Sequence, residues 1–205
     1  MITRARTGFL LFSMIAGTAV LLNACSGAVP PHATAPANFR VELETSRGPI
    51  EIEVIRAEAP IGADRFYNLV KSGYFQGASF FRVVPGFVVQ FGLAADPAVT
   101  KAWKKSIADD PVRTANRRGT LAFATTPSPN SRTTQLFINL GDNRKLDQMG
   151  FAPFGRIVRG MDTVDRLYAE YGESPDQDLI EAQGNAYLTK DFPLLDYIKT
   201  ARIVP

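Results

Sequence analysis

Arg82 and Gln90 are two polar side chains set into the apolar, β-prone stretch FFRVVPGFVVQFG, from Phe80 to Gly92. Eight residues apart, they would share one face of a continuous strand. Pro85-Gly86 turns the chain between them, so they belong on adjoining strands that can converge on one surface. A guanidinium and a carboxamide held together can bind and orient a polar group, but neither attacks a bond as a nucleophile. On the residues alone, Arg82 reads equally well as an ion-pairing residue of an edge strand, and Phe87 as plain core.

The rest of the inventory narrows the chemistry. The chain holds one histidine, His32, and one cysteine, Cys25, and both precede the first strand-like segment at Phe39. A zinc site of His and Cys, a CxxC redox pair, a Ser-His-Asp triad and a Cys-His dyad all require residues the domain lacks. No disulfide can form within the chain, no metal or cofactor is expected, and a paired-carboxylate motif for hydrolysis is missing. What remains is chemistry by Arg, Lys, Gln, hydroxyl groups and backbone, or the binding and distortion of a substrate. The net charge of +3 falls to 21 basic against 20 acidic residues once Arg4 and Arg6 are set aside. That balance gives no electrostatic reason to expect a nucleic-acid partner.

These residues need a scaffold, and 205 residues suffice for one sizeable core. FRVELET from Phe39 and IEIEVI from Ile50 alternate apolar and polar about an SRGP turn, which is a hairpin. Pro60 can open a helix whose apolar face is Phe66, Leu69 and Val70, with Gly73 placed as its C-terminal glycine. Short apolar segments follow at 79–84, 87–91, 120–124, 135–140 and 154–158. Met161, Val164, Leu167, Tyr168 and Tyr171 mark a second amphipathic helix, and 196–204 a last strand that returns to the first. The expected architecture is mainly β: one closed eight-stranded antiparallel barrel capped by two α-helices. Segments 93–111 and 172–192 read as long loops, with Trp103 an anchor that pins the first to the barrel and Lys101, Lys104 and Lys105 a solvated face.

Three motifs occur in order: FFRVVPGFVVQFG, then GTLAFATTPSPNSRTTQLFINLGDN from Gly119 to Asn143, then GFAPFGRIVRGMDTVD from Gly150 to Asp165. Together they resemble the cyclophilins, over essentially the whole of 39–205. The resemblance implies a peptidyl-prolyl cis/trans isomerase with Arg82 as the catalytic arginine. It implies Phe87, Val88 and Phe137 as floor and walls of a proline pocket, with Leu146 and Phe151 on the far side. Gln90 and Gln135 would hold the arginine and the substrate backbone, and Ala124, Thr125 and Thr126 would line the neighbouring groove. A catalytically weak module that only grips proline-containing segments is the rival on the same fold. Several positions depart from the family pattern. Lys145 stands where tryptophan or phenylalanine is common, which weakens the case for cyclosporin-type inhibitors. Val88 replaces a methionine, which widens the pocket, and Phe91 replaces a glycine. Leu136 should point into the barrel.

The N-terminus carries a separate message. Arg4 and Arg6 precede an uncharged run of 15 residues from Gly8 to Leu22, shorter than the ~20 a membrane-spanning helix requires. Leu22-Asn23-Ala24-Cys25 resembles the lipobox of bacterial lipoproteins. The expected organisation is a signal peptide over 1–24, a lipidated Cys25 with a flexible Pro-rich tether over 25–38, and the domain over 39–205. Such a protein would be a monomer, exported and held at the cell envelope on its periplasmic or extracytoplasmic side. Its partners would be proline-containing segments of other exported proteins.

Overall fold

The computed structural model describes Met1 and residues 32–205; Cys25 and the expected signal segment lie outside the described residues. Strands β1 (Asn38–Thr45), β2 (Gly48–Ile55), β3 (Arg82–Val84), β4 (Val88–Phe91), β5 (Thr120–Phe123), β6 (Leu136–Asn139), β7 (Pro153–Arg159) and β8 (Ile198–Val204) form one sheet. Its order is β3-β4-β6-β5-β7-β2-β1-β8, every neighbouring pair antiparallel. Period-two alternation sets the faces. Phe39, Val41 and Leu43 of β1 and Ile50, Ile52 and Val54 of β2 turn inward, buried. Their neighbours Arg40, Glu42, Glu51 and Glu53 turn outward and, with Arg156, Arg159 and Arg202 of β7 and β8, make cross-strand ion pairs.

The sheet curls through 212° and stays open, where the sequence suggested a closed barrel. A single bridge, Ser79 to Tyr197, spans the gap ahead of β3. The reason lies on the edge strand: Val83 N–H donates to Gly172 O at 3.2 Å, so a loop takes the edge that β8 would have to pair with. Inside the curl, phenylalanines from distant segments interlock. Phe66 meets Phe75 and Phe154 at centroid distances of 5.7 and 5.3 Å, and Phe91 meets Phe75 and Phe80 at 5.8 and 5.5 Å.

Helix α1 (Pro60–Lys71) carries Pro60 in its first turn and ends before Gly73, whose φ of +72 suits a C-terminal glycine. Its own N-cap, Ala59, has no side-chain acceptor to offer. Asp110 supplies the cap from 48 residues downstream, accepting Gly62 N–H at 2.8 Å and Ile61 N–H at 3.0 Å. The second helix is shorter than its apolar spacing suggested: α3 covers Met161–Asp165. Past it, Tyr168 N–H donates to the Asp196 carboxylate at 2.8 Å instead of to a preceding carbonyl, although Val164 and Leu167 are still buried.

Both expected long loops contain helices. Asp96 caps α2 (Pro97–Trp103), accepting Ala98 N–H, and Asp176 caps α4 (Gln177–Gln183), which is followed by α5 (Asn185–Asp191). Five α-helices therefore accompany the sheet among the described residues, not two. Trp103 is buried against the core, as the anchor reading requires. The tether also ends sooner than expected. Asn68 of α1 donates to Ala33 O at 2.7 Å and accepts Ala33 N–H at 3.0 Å, while Ala35 N–H reaches Asp64 Oδ1 at 2.8 Å. Residues 33–38 thus belong to the domain.

Candidate active site

The β3–β4 hairpin turns at Pro85-Gly86, where Gly86 takes a φ of +74 that a side chain would strain, and Phe87 N–H closes the turn on Val84 O. This register sets Arg82 directly opposite Gln90. Gln90 is in turn opposite Phe137, and Phe137 opposite Ala122. One row of outward side chains therefore crosses four strands, a guanidinium at the open edge and an aromatic ring two strands in. The alternate row, Val83, Val89, Ile138 and Leu121, faces the core.

The guanidinium is held from two sides. Arg82 Nη1 donates to Gln90 Oε1 at 3.2 Å, and Gln90 Nε2 donates to Gln135 Oε1 at 2.7 Å, a relay that fixes both amides. On the other side, Arg82 Nε and Nη2 converge on Glu173 Oε1 at 2.6 and 2.5 Å. Beside this relay lies a cavity of about 260 Å³ whose apolar wall is Phe87, Val88, Phe137, Leu146 and Phe151. Phe137 and Phe151 meet edge to face at 5.5 Å and 77°. Arg82 Cζ lies 5.7 Å from the Phe87 ring centroid, so the charge sits at the mouth of an otherwise apolar hollow.

Of the residues singled out from the sequence, Arg82, Gln90, Phe87, Val88, Ala124, Thr125, Phe137, Leu146 and Phe151 all line this cavity. Gln135 stands behind it and acts through Gln90. Thr126 is exposed and outside the wall, its N–H bonded to Ser131 Oγ at 3.0 Å. Leu136 is buried in the core as expected, and Phe91 points there too, so Phe91 does not reshape the hollow.

Three parts of the site were not visible in the sequence. Glu173 reaches Arg82 across 91 residues, from a loop without a motif. Met149 lies exposed on the rim. Behind the floor, three buried asparagines tie the pieces together. Asn143 Nδ2 donates to Phe87 O and to Asn139 Oδ1, both at 2.8 Å, Asn139 Nδ2 to Asn116 Oδ1 at 3.1 Å, and Asn116 Nδ2 to Phe151 O at 2.8 Å. A fully buried Asn in a strand, as in LFIN, is the signal that could have pointed to this network, because burial demands such partners.

A larger hollow of about 360 Å³ opens between β2, β5, β7 and residues 114–117. Its carboxylates are already engaged, Glu53 with Arg156 and Glu58 with Thr114. It has no polar relay like that of Arg82, Gln90 and Gln135, so the smaller cavity is the better candidate.

The chain is similar to known proteins in both sequence and fold. The family described as cyclophilin type peptidyl-prolyl cis-trans isomerase/CLD matches residues 40–183. A peptidyl-prolyl cis-trans isomerase of Acinetobacter baylyi is 41% identical over 140 residues, 66% of this chain and 74% of that protein. Peptidyl-prolyl cis-trans isomerase A of Dickeya dadantii is 38% identical over 147 residues, 68% of this chain and 76% of that protein. A cyclophilin-type isomerase from Cryptosporidium parvum superposes with a TM-score of 0.63 at 22% identity, covering 82% of this chain and 98% of that one. The same protein in the presence of the dipeptide Ala-Pro gives a TM-score of 0.61.

Proposed function

We propose, from the premise that this chain belongs to the cyclophilin-type peptidyl-prolyl cis-trans isomerase family, that it accelerates rotation about X-Pro bonds at the cavity beside Arg82. The observation that carries the assignment is a guanidinium braced from behind at the mouth of an apolar hollow.

The reaction explains why this inventory suffices. Rotation must overcome ~18–20 kcal/mol because amide resonance is lost at the twisted geometry. No covalent bond breaks, so no nucleophile is required. In the twisted state the proline nitrogen pyramidalises and its lone pair becomes a hydrogen-bond acceptor, which it is not in the planar amide. Arg82 N–H groups aimed at that point bind the twisted state better than the planar one, and such a difference lowers the barrier. Phe87, Val88, Phe137 and Leu146 hold the pyrrolidine ring while the acyl side turns, and they exclude water. Gln90 keeps the guanidinium aimed, with Gln135 fixing the Gln90 amide. Ala124 and Thr125 border the path of the residue before proline.

The test is catalysis by the purified protein of cis/trans exchange in an X-Pro peptide, read by NMR exchange spectroscopy. Acceleration over the uncatalysed rate is expected. Line broadening on binding without faster exchange would sink the isomerase reading and favour the proline-peptide binding module.

The reading extends to location. The basic start, the apolar run to Leu22 and the lipobox-like Leu22–Cys25 support export and lipid attachment at Cys25, with segments of other exported proteins as clients. Mass spectrometry of the mature N-terminus tests this; an unmodified Cys25 would refute it.

A further inference from the structure

Lys145 lies on the short 3-10 turn Arg144–Leu146, which also sends Leu146 into the cavity wall. That turn is locked to the pocket floor. Asn143 Nδ2 donates to Phe87 O at 2.8 Å, and Leu146 N–H donates to Asn143 O at 2.8 Å. From this anchored position Lys145 Nζ rests 5.3 Å from the Phe87 ring centroid. Two cations, Lys145 and Arg82, therefore stand over one ring of the candidate site.

They differ in their counter-charges. Arg82 is paired with Glu173. Among the described residues, no carboxylate lies within 4.0 Å of the Lys145 ammonium. The acids nearest it in the chain are occupied: Asp142 pairs with Arg144 at 2.9 Å, and Asp147 accepts two N–H groups of Asn116 at 2.8 Å. An ammonium on a flexible stem, uncompensated beside a peptide-binding hollow, favours a carboxylate on whatever passes it.

We propose that Lys145 is a specificity-determining residue, selecting peptides with an acidic residue immediately after the proline. The proposal rests on the isomerase reading for the direction of the chain. With Ala124 and Thr125 beside the residue before proline, the segment that leaves past Leu146 is the one that follows it. Glu173 sharpens the selection, because its carboxylate repels an acid placed near Arg82. An exposed pair of this kind is modest, about three- to fivefold in kcat/KM.

The experiment compares peptides identical but for Glu, Gln or Lys after the proline, at low ionic strength and at 1 M salt, with the purified protein and its Lys145→Gln and Lys145→Glu variants. The expected order is Glu over Gln over Lys. The preference should shrink at about 1 M salt, where the screening length falls to about 3 Å. Lys145→Gln should erase the Glu-to-Gln ratio, and Lys145→Glu should invert it. A wild-type ratio of unity, or a ratio that Lys145→Gln leaves unchanged, overturns the proposal. Affinities of the same peptides, measured by NMR titration, report the charge preference independently of turnover. Loss of turnover with the preference intact would therefore overturn the isomerase reading and not this one.

Discussion

Replacing Arg82 by lysine keeps a positive charge at the mouth of the cavity and removes the planar fork. In the native arrangement Nε and Nη2 are engaged by Glu173 and Nη1 by Gln90, which leaves one N–H on each terminal nitrogen for substrate, in a direction the relay fixes. A lysine ammonium can turn toward Glu173 or toward the substrate but cannot be braced by both neighbours at once. A preorganised donor of this kind contributes about 2.7–4 kcal/mol to a transition state in a dry site. Arg82 retains 22% of its side-chain exposure, and water at the mouth screens part of that, so about 2–3 kcal/mol is expected. This corresponds to a loss of about 30- to 150-fold in kcat/KM. Arg82→Ala should lose about as much, since both variants lack the aimed donor. Exchange spectroscopy on one X-Pro peptide gives the rates. Thermal melting should move by only a few degrees, because β3 is a three-residue edge strand. If Arg82→Lys keeps more than about a third of the activity, charge alone suffices and the orientation argument fails. If Arg82→Ala does, the arginine has no catalytic role.

Gln90→Leu, which leaves Arg82 without its inner brace, should cost about tenfold in kcat/KM with KM little changed; an unaltered rate would show that Glu173 alone orients the guanidinium. Asp110→Ala removes the cap of α1 and leaves the buried Arg132 with only the half-exposed Asp109 at 3.4 Å, so a destabilisation of about 3 kcal/mol is expected by urea unfolding. Asp64 is partly desolvated, which pushes its carboxyl up, but the Arg56 guanidinium and Ala35 N–H outweigh this and hold it below the usual carboxylate range. A depressed folded value means that its contribution is complete above the unfolded value of ~3.9 and is lost as the pH falls through the lower folded one. Asp64→Asn should therefore be less stable than wild type at pH 6, with the gap narrowing toward pH 3; a constant gap would contradict the linkage. Activity should be level between pH 6 and 9, since neither histidine nor cysteine lines the cavity.

The part of this site that residue spacing alone made legible is the part built from neighbours in sequence; the distant wall residues came from the resemblance. Arg82, Pro85-Gly86 and Gln90 encode a hairpin, and a hairpin of that length leaves one register in which the two polar groups are opposite. Phe137 came from the resemblance, and the alternation of QLFIN is what puts its ring on the face that Gln90 occupies one strand away. What the sequence did not disclose depends on long closures. Glu173 meets Arg82 only because Gly172 takes the free edge of β3, an event that also keeps the sheet from closing. The helices within 93–111 and 172–192 were marked by Asp96-Pro97 and Asp176, cap residues that long polar stretches obscured. The same edge accounts for the open sheet, for Glu173 and for the chemistry. A closed barrel would bond β3 on both sides and remove the edge that Gly172 and Glu173 occupy. An open edge, covered by one carbonyl and one carboxylate, leaves the guanidinium braced and still accessible to a peptide lying in the hollow.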